Sequence, residues 1–485
     1  MIHLKDLGIA EEDNNLLYQP QPRFDLLHLP LLGRLLRWRW GRLIFQIPML
    51  LLALVMIYDG LTGPKIAAQN VATVTAWVHY RGFVMLALLL VGNLFCMSCP
   101  FALPRTIAHR LSGNGRRWPR ILRNKWLAIG LLVGIFYLYE WLDLWATPWL
   151  TAWIIICYFL AAFALETFFA ESPFCKYLCP LGTFNFTAST ISPFQVTARN
   201  AETCRTCPGK ECVNGSPQVL GCGTELFVPQ IKSNMDCVLC LDCVRACPFD
   251  NVALAARPFG QELTQSAWPR RWDLAFLVLV FTFASVSNAF GMVPPFYALE
   301  QWLASRLDIT NEGVLLLLIF GVMNVLLPAG VGLITALLSR HLSQTRELLR
   351  LTLTRYIPAF IPLAFATWLA HYGFHFATGA LAIIPVAQNF LLDHGLNWLG
   401  DAPAWSLAAL LPGEWLLPLQ VLIVLIGFGG SLVVASRISH REFTNRQMAM
   451  LSMLPWVLVF LGLAVAALTM FNLPMEMRGT IQLNG

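Results

Sequence analysis

The chain has 485 residues, of which 57% are hydrophobic and 12% charged. An ordinary soluble domain carries about 25% charged residues, so a soluble globular protein is excluded. The formal net charge of +6, from 33 basic and 27 acidic residues, means little until the charges are assigned to a side of the membrane, and no nucleic-acid partner is expected.

A hydrocarbon core about 30 Å thick takes roughly 20 apolar residues per helix. In chain order, residues 1–42 read as a cytoplasmic N-terminus. Within it, 23–43 mixes Leu26, Leu27, Leu29, Leu31, Leu32, Leu35 and Leu36 with Arg34, Arg37, Arg39 and Arg42. That is the makeup of an interfacial helix on an anionic leaflet, or of a basic flank to the first span. Span-length windows follow at 43–59, 77–97, 125–146, 149–170, 272–292, 314–337, 357–377, 415–436 and 449–471. No small-residue cleavage site follows the first, so it reads as a retained span.

The stretch 102–125 carries Arg105, Arg110, Arg116, Arg117, Arg120, Arg123 and Lys125 without an acidic residue, which puts it on the cytoplasmic side. The loops 338–356 (Arg340, Arg346, Arg350, Arg355) and 437–448 (Arg437, Arg441, Arg446) then fall on that side too. The loop 378–414, with Asp393, Asp401 and Glu414 and no Lys or Arg, falls opposite. The expected fold is an all-α polytopic membrane protein of about nine transmembrane helices, N-terminus in and C-terminus out. Its parts are a four-helix membrane domain (43–170), a soluble cytoplasmic insert (171–271) and a five-helix membrane domain (272–485).

Of the 13 cysteines, all but Cys157 fall in tight groups between Cys96 and Cys247, a pattern of metal ligation rather than of disulfides. The most specific group is Cys237-x2-Cys240-x2-Cys243-x3-Cys247-Pro248. In bacterial two-cluster ferredoxins the first three thiolates of such a run hold one 4Fe-4S cluster and the fourth reaches a second. A zinc site would ordinarily use two separated pairs. A looser run, Cys204-x2-Cys207-x4-Cys212 and then Cys222, precedes it. With the same crossover, Cys204, Cys207, Cys212 and Cys247 form one set and Cys222, Cys237, Cys240 and Cys243 the other. Two further pairs, Cys96-x2-Cys99-Pro100 and Cys175-x3-Cys179-Pro180, lie at one expected depth at the membrane edge. They suit a third cluster, a thiol redox pair or a soft metal site. Cys157, inside a span, reads as an apolar filler.

This succession of Cys-x2-Cys-Pro, Cys-x3-Cys-Pro and a two-cluster run after four spans resembles the polyferredoxin-like membrane proteins of the NapH, NosR and CcoG group, over about residues 43–292. The resemblance implies a ferredoxin-like insert with two 4Fe-4S clusters in a protein of the bacterial inner membrane. It also implies electron transfer between a cytoplasmic or quinone-pool partner and a respiratory partner, as in a quinol dehydrogenase-type oxidoreductase subunit. A copper-reducing assembly factor, a redox-coupled transporter and an anchor subunit of a redox complex are the alternatives. The partners implied are membrane lipid, quinone, other redox subunits and a periplasmic or cytoplasmic electron-transfer protein.

His371 and His375, four residues apart, share a helix face in the outer half of the seventh span, and His79 lies at the outer end of the second. Polar residues within a membrane are costly, so these imidazoles suit a b-type haem or a quinone site; the other reading is hydrogen bonding to neighbouring helices. Met470, Met475 and Met477 suggest a thioether copper site, or ordinary packing. Asn324 and Pro328 in the sixth span, and Pro358 and Pro362 in the seventh, mark expected kinks.

Overall fold

A computed structural model describes residues 24–104, 115–169, 172–265 and 268–475. The expectations for Arg105, Arg110 and Met477 lie outside those residues.

Among the described residues, eight helices are long and apolar enough to cross a membrane. They are α1 (Gly41–Thr62), α2 (Val71–Leu90), α4 (Pro148–Phe168), α5 (Trp272–Phe290), α6 (Glu312–Leu342), α7 (Leu349–Asp393), α8 (Gly413–Glu442) and α9 (Arg446–Phe471). Between α2 and α4 lies α3 (Trp126–Trp141), equally apolar but only 16 residues long. The protein is therefore a multi-pass helical membrane protein.

Helix α2 starts and ends several residues earlier than the hydropathy window suggests. The Asn70 side chain accepts a hydrogen bond from the Ala72 amide at 2.9 Å and sets the N-terminus. At the other end Gly92, with φ +120°, turns the chain, and Cys96 rides on a separate short helix, Leu94–Ser98. Two breaks in regular α-helix fall where Pro and Asn lead one to expect irregularity. In α6 a π-helical stretch, Val322–Leu326, precedes Pro328, and in α7 a 3-10 turn, Ile357–Phe360, contains Pro358. A helix that hydropathy does not pick out, Pro294–Leu307, joins α5 to α6.

The best-buried span is α5. Helix α7 packs on it, with the Trp368 indole Nε1 donating to the Phe281 carbonyl at 3.0 Å. The spans α2 and α7 also meet. A Cβ at Gly82 would stand 2.3 Å from the Phe376 ring, so only glycine lets the two helices come so close.

The insert between α4 and α5 has a small antiparallel ribbon, β1 (Phe194–Ala198) with β2 (Val252–Ala256), in register Phe194 with Ala256. The N-terminal segment joins this ribbon. Asp25 bridges to Ala255, and its carboxylate takes hydrogen bonds from the Leu254 amide at 3.1 Å and from Arg199 at 2.8 Å. Leu27 and Leu36 are buried with Val196, Leu241 and Val244. The basic amphipathic helix Pro30–Arg37 therefore spends its apolar face on the insert. The helix Pro180–Ala188 runs the other way, into the bundle, where Phe184 meets Phe281 and Trp368 with ring centroids 5.0 and 5.1 Å apart.

Candidate functional site

Proline shapes the cysteine turns. A residue before proline is pushed out of the helical region. Cys99, Cys179, Cys207 and Cys247 each precede a proline and each close a helix with ψ between 112° and 121°. A helical stretch thus ends at a thiol. Cys207-Pro208 is the one such pair that the sequence reading passed over. Around the densest run, Asp236, Leu239 and Leu241 take positive φ of 66°, 54° and 59°. Non-glycine residues avoid this region, and such strain collects at functional sites.

The fold gathers twelve cysteines into three sets of four. Cys204, Cys207, Cys212 and Cys247 line one cavity of the insert. Burial, with the neighbouring thiols of Cys204, Cys247 and Cys207, pushes the Cys212 thiol up to about 11. In the second set, burial lifts Cys237 to about 12, with Cys222 as a contributing neighbour. Cys243 is raised by burial and by Cys240, Cys222 and Cys237. In the third, Cys96, Cys99, Cys175 and Cys179 line a single cavity between the insert and the spans. Buried thiols this hard to ionise are inert unless a metal takes the proton's place. Cys157 stands apart, exposed on the apolar face of α4.

Amide donors point at the sulfurs. The Asn251 side chain donates to Cys204 at 3.1 Å and its backbone amide to Cys247 at 3.4 Å. The Leu226 amide reaches Cys222 at 3.4 Å, the Gly182 amide Cys179 at 3.1 Å, and Asn185 Cys96 at 3.6 Å. Donors to sulfur stabilise the extra negative charge of a reduced thiolate-bound centre. Among the described residues, no three His, Cys, Asp or Glu side chains converge tightly enough for one ion. A single ion draws thiolates to about 2.3 Å from one centre, whereas four thiols around a cavity suit a polynuclear group.

Arg42 stands between two of the sets. Its Nε donates to the Met97 carbonyl at 3.0 Å and its Nη1 to Asp242 at 3.2 Å, and Cys240, Cys175 and Cys99 surround it. It lines the membrane-edge cavity, which Cys240 of the second set also lines. A unit charge roughly 8 Å from another, at an effective dielectric of about 20, is worth about 2 kcal/mol, or roughly 90 mV for one electron. With a one-electron centre held by the neighbouring thiols, Arg42→Gln is accordingly expected to lower its potential by several tens of millivolts in a redox titration, with Arg42→Lys restoring most of it.

The histidines divide. His79 uses both ring nitrogens on backbone carbonyls, Val74 at 3.1 Å and Ala380 at 2.8 Å. His371 and His375 instead face each other, with their Nε2 atoms 3.1 Å apart. The structure thus ties α2 to α7 through His79 but does not bring His79 to the pair.

No family model matches the chain, and no solved structure matches it. A curated protein of Escherichia coli (strain K12) named "Putative electron transport protein YccM" is 28% identical over 125 residues, which are 26% of this chain and 33% of that protein. The match therefore spans about a third of the relative's length. It supports a general role in electron transfer.

Proposed function

We propose that the chain is a membrane electron conduit of the bacterial inner membrane that holds three 4Fe-4S clusters, one per set of four thiols. The observation that carries this reading is the run of three cysteine sets from the insert to the membrane edge, the last two sharing the wall at Arg42 and Cys240. When bound, such a cluster accepts and returns one electron at a time. The chain's own residues set the conditions for that exchange. Asn251, Gly182 and Leu226 offer N–H groups to the sulfurs, Arg42 supplies positive charge between neighbouring sets, and apolar packing excludes water. The charge distribution of the loops argues that the insert faces the cytoplasm.

For the electron donor we favour a quinol. An apolar cavity of about 160 Å³ lies between α1, α2 and α4, and Phe95, Phe101, Tyr158 and Leu181 separate it from the membrane-edge thiols. A cavity of about 150 Å³ accepts a benzene ring, and Trp77, Thr75 and Tyr80 add polar groups at the wall.

The test is analysis of the full chain purified without oxygen. About twelve iron atoms and as many labile sulfides per chain are expected, with absorbance near the thiolate-to-iron bands that bleaches on adding a soluble quinol. Near-stoichiometric zinc in place of iron would overturn the clusters. Ala53→Phe, which fills the apolar cavity, is expected to slow bleaching by quinol roughly tenfold while leaving iron content and reduction by dithionite as they were. Unchanged quinol kinetics would remove the cavity from the path.

A further inference from the structure

A group of nitrogen and sulfur donors lies deep in the bundle, apart from the cysteine sets. The His371 Nε2 stands 3.1 Å from the His375 Nε2 and 3.3 Å from the Met292 Sδ. All three residues are buried, and the His371 Nδ1 has no hydrogen-bond partner. We propose that His371, His375 and Met292 form a binding site for one copper(I) ion. The inference is independent of the iron–sulfur reading.

The distances already suit an ion. A centre about 2.0 Å from each nitrogen and about 2.3 Å from the sulfur would subtend the observed separations at angles of about 100°, within the range of low-coordinate sites. The spacing comes from two sources. The i, i+4 relation on α7 stacks the imidazoles, and the turn that follows α5 at Gly291–Val293 delivers Met292 across 79 residues of sequence.

The donor set selects the metal. A thioether is a soft ligand that favours copper(I), and imidazole also suits copper, whereas a zinc site would ordinarily include thiolate or carboxylate. All three donors are neutral, so a bound ion keeps its full charge in a region of low dielectric. A monovalent ion is then far cheaper to bury than a divalent one. The nearest cation, Arg81, reinforces this choice. Its guanidinium is stacked on Trp77, Tyr139 and Tyr372 and lies beside Glu140, so its charge is largely compensated, yet it would still repel a second positive charge more strongly than a first.

The site is also linked to the thiols by adjacent residues of one helix. Tyr80 on α2 faces the membrane-edge set, near Cys96, Cys179 and Cys99, while its neighbour Arg81 faces the histidine pair.

The experiment uses the full chain with its clusters in place, grown with selenium-substituted methionine, and titrated with copper(I) against a chromophoric chelator without oxygen. One tightly held copper per chain is expected, with selenium and imidazole neighbours in its X-ray absorption spectrum. Met292→Leu is expected to lose the selenium scatterer and weaken binding at least tenfold, and His375→Ala to do the same. Iron content, measured on each sample, reports separately on folding and on the clusters. Copper held by sulfur alone, equal uptake by Met292→Leu and the parent chain, or tighter binding of zinc at these residues would each overturn the assignment.

Discussion

Cys247→Ser is expected to abolish the same paramagnetic signal as Cys204→Ser and Cys212→Ser, and a different one from Cys243→Ser. The contrast is sharp because Cys243 and Cys247 sit four residues apart in one motif. Were the run Cys237 to Cys247 to hold one cluster by itself, both substitutions would remove the same centre. The fold separates them. The helix Asp242–Ala246 carries Cys243 into the company of Cys222, Cys237 and Cys240, while the extended backbone at Cys247, imposed by Pro248, turns its thiol into the cavity lined by Cys204, Cys207 and Cys212. Each substitution should cost about four of about twelve iron atoms. Electron paramagnetic resonance of the reduced protein, with iron counted on the same samples, reads both quantities. Identical residual spectra for Cys243→Ser and Cys247→Ser would reject the crossed arrangement.

Much of this arrangement is legible in the sequence because it is local. Helical spans follow from apolar runs, and the cysteine runs themselves follow from spacings of two, three and four residues. The irregular turns in α6 and α7 follow from Pro328 and Pro358. Contacts between distant segments leave no such mark. Met292 reads as an ordinary apolar residue at a span end, and nothing in its neighbourhood announces His371. Gly82 gives no sign that it admits Phe376 and so brings α2 against α7. The start of α2 depends on one capping side chain, Asn70, which a hydropathy window averages away. Charge misleads in a further way. Arg355 counts toward a basic cytoplasmic loop, yet its side chain is only 4% exposed and is paired with Glu347 and Glu442. Composition records the charge of a residue but not whether lipid headgroups or another side chain will meet it.

Lys125 is the strongest instance, and it carries the largest expected effect on stability. By sequence it ends the basic stretch ahead of the third span, a charge for the membrane surface. In the fold its side chain is 1% exposed. Its ammonium pairs with Asp236, donates to the Lys176 carbonyl and lies 5.1 Å from the centre of the Phe186 ring, while its backbone amide donates to Asp273 at 2.9 Å. Asp236 adjoins Cys237, and Lys176 adjoins Cys175. One side chain therefore pins two cysteine-bearing turns, from two different sets, to the start of α3. Removing one partner of a buried pair leaves the other charge stranded and typically costs 3–5 kcal/mol; with Asp236 still 15% exposed, the lower end, about 3 kcal/mol, applies. Lys125→Met should therefore lower resistance to thermal unfolding in detergent and deplete iron from the sets containing Cys237 and Cys175 before the set containing Cys204. Adding Asp236→Asn removes the stranded carboxylate, so the double variant should regain more than half of the lost stability. If Lys125→Met alone proves as stable and as iron-replete as the parent chain, the ammonium is not what fastens the insert to the bundle, and the apolar insertion of Phe184 and Phe186 would be left to hold that junction.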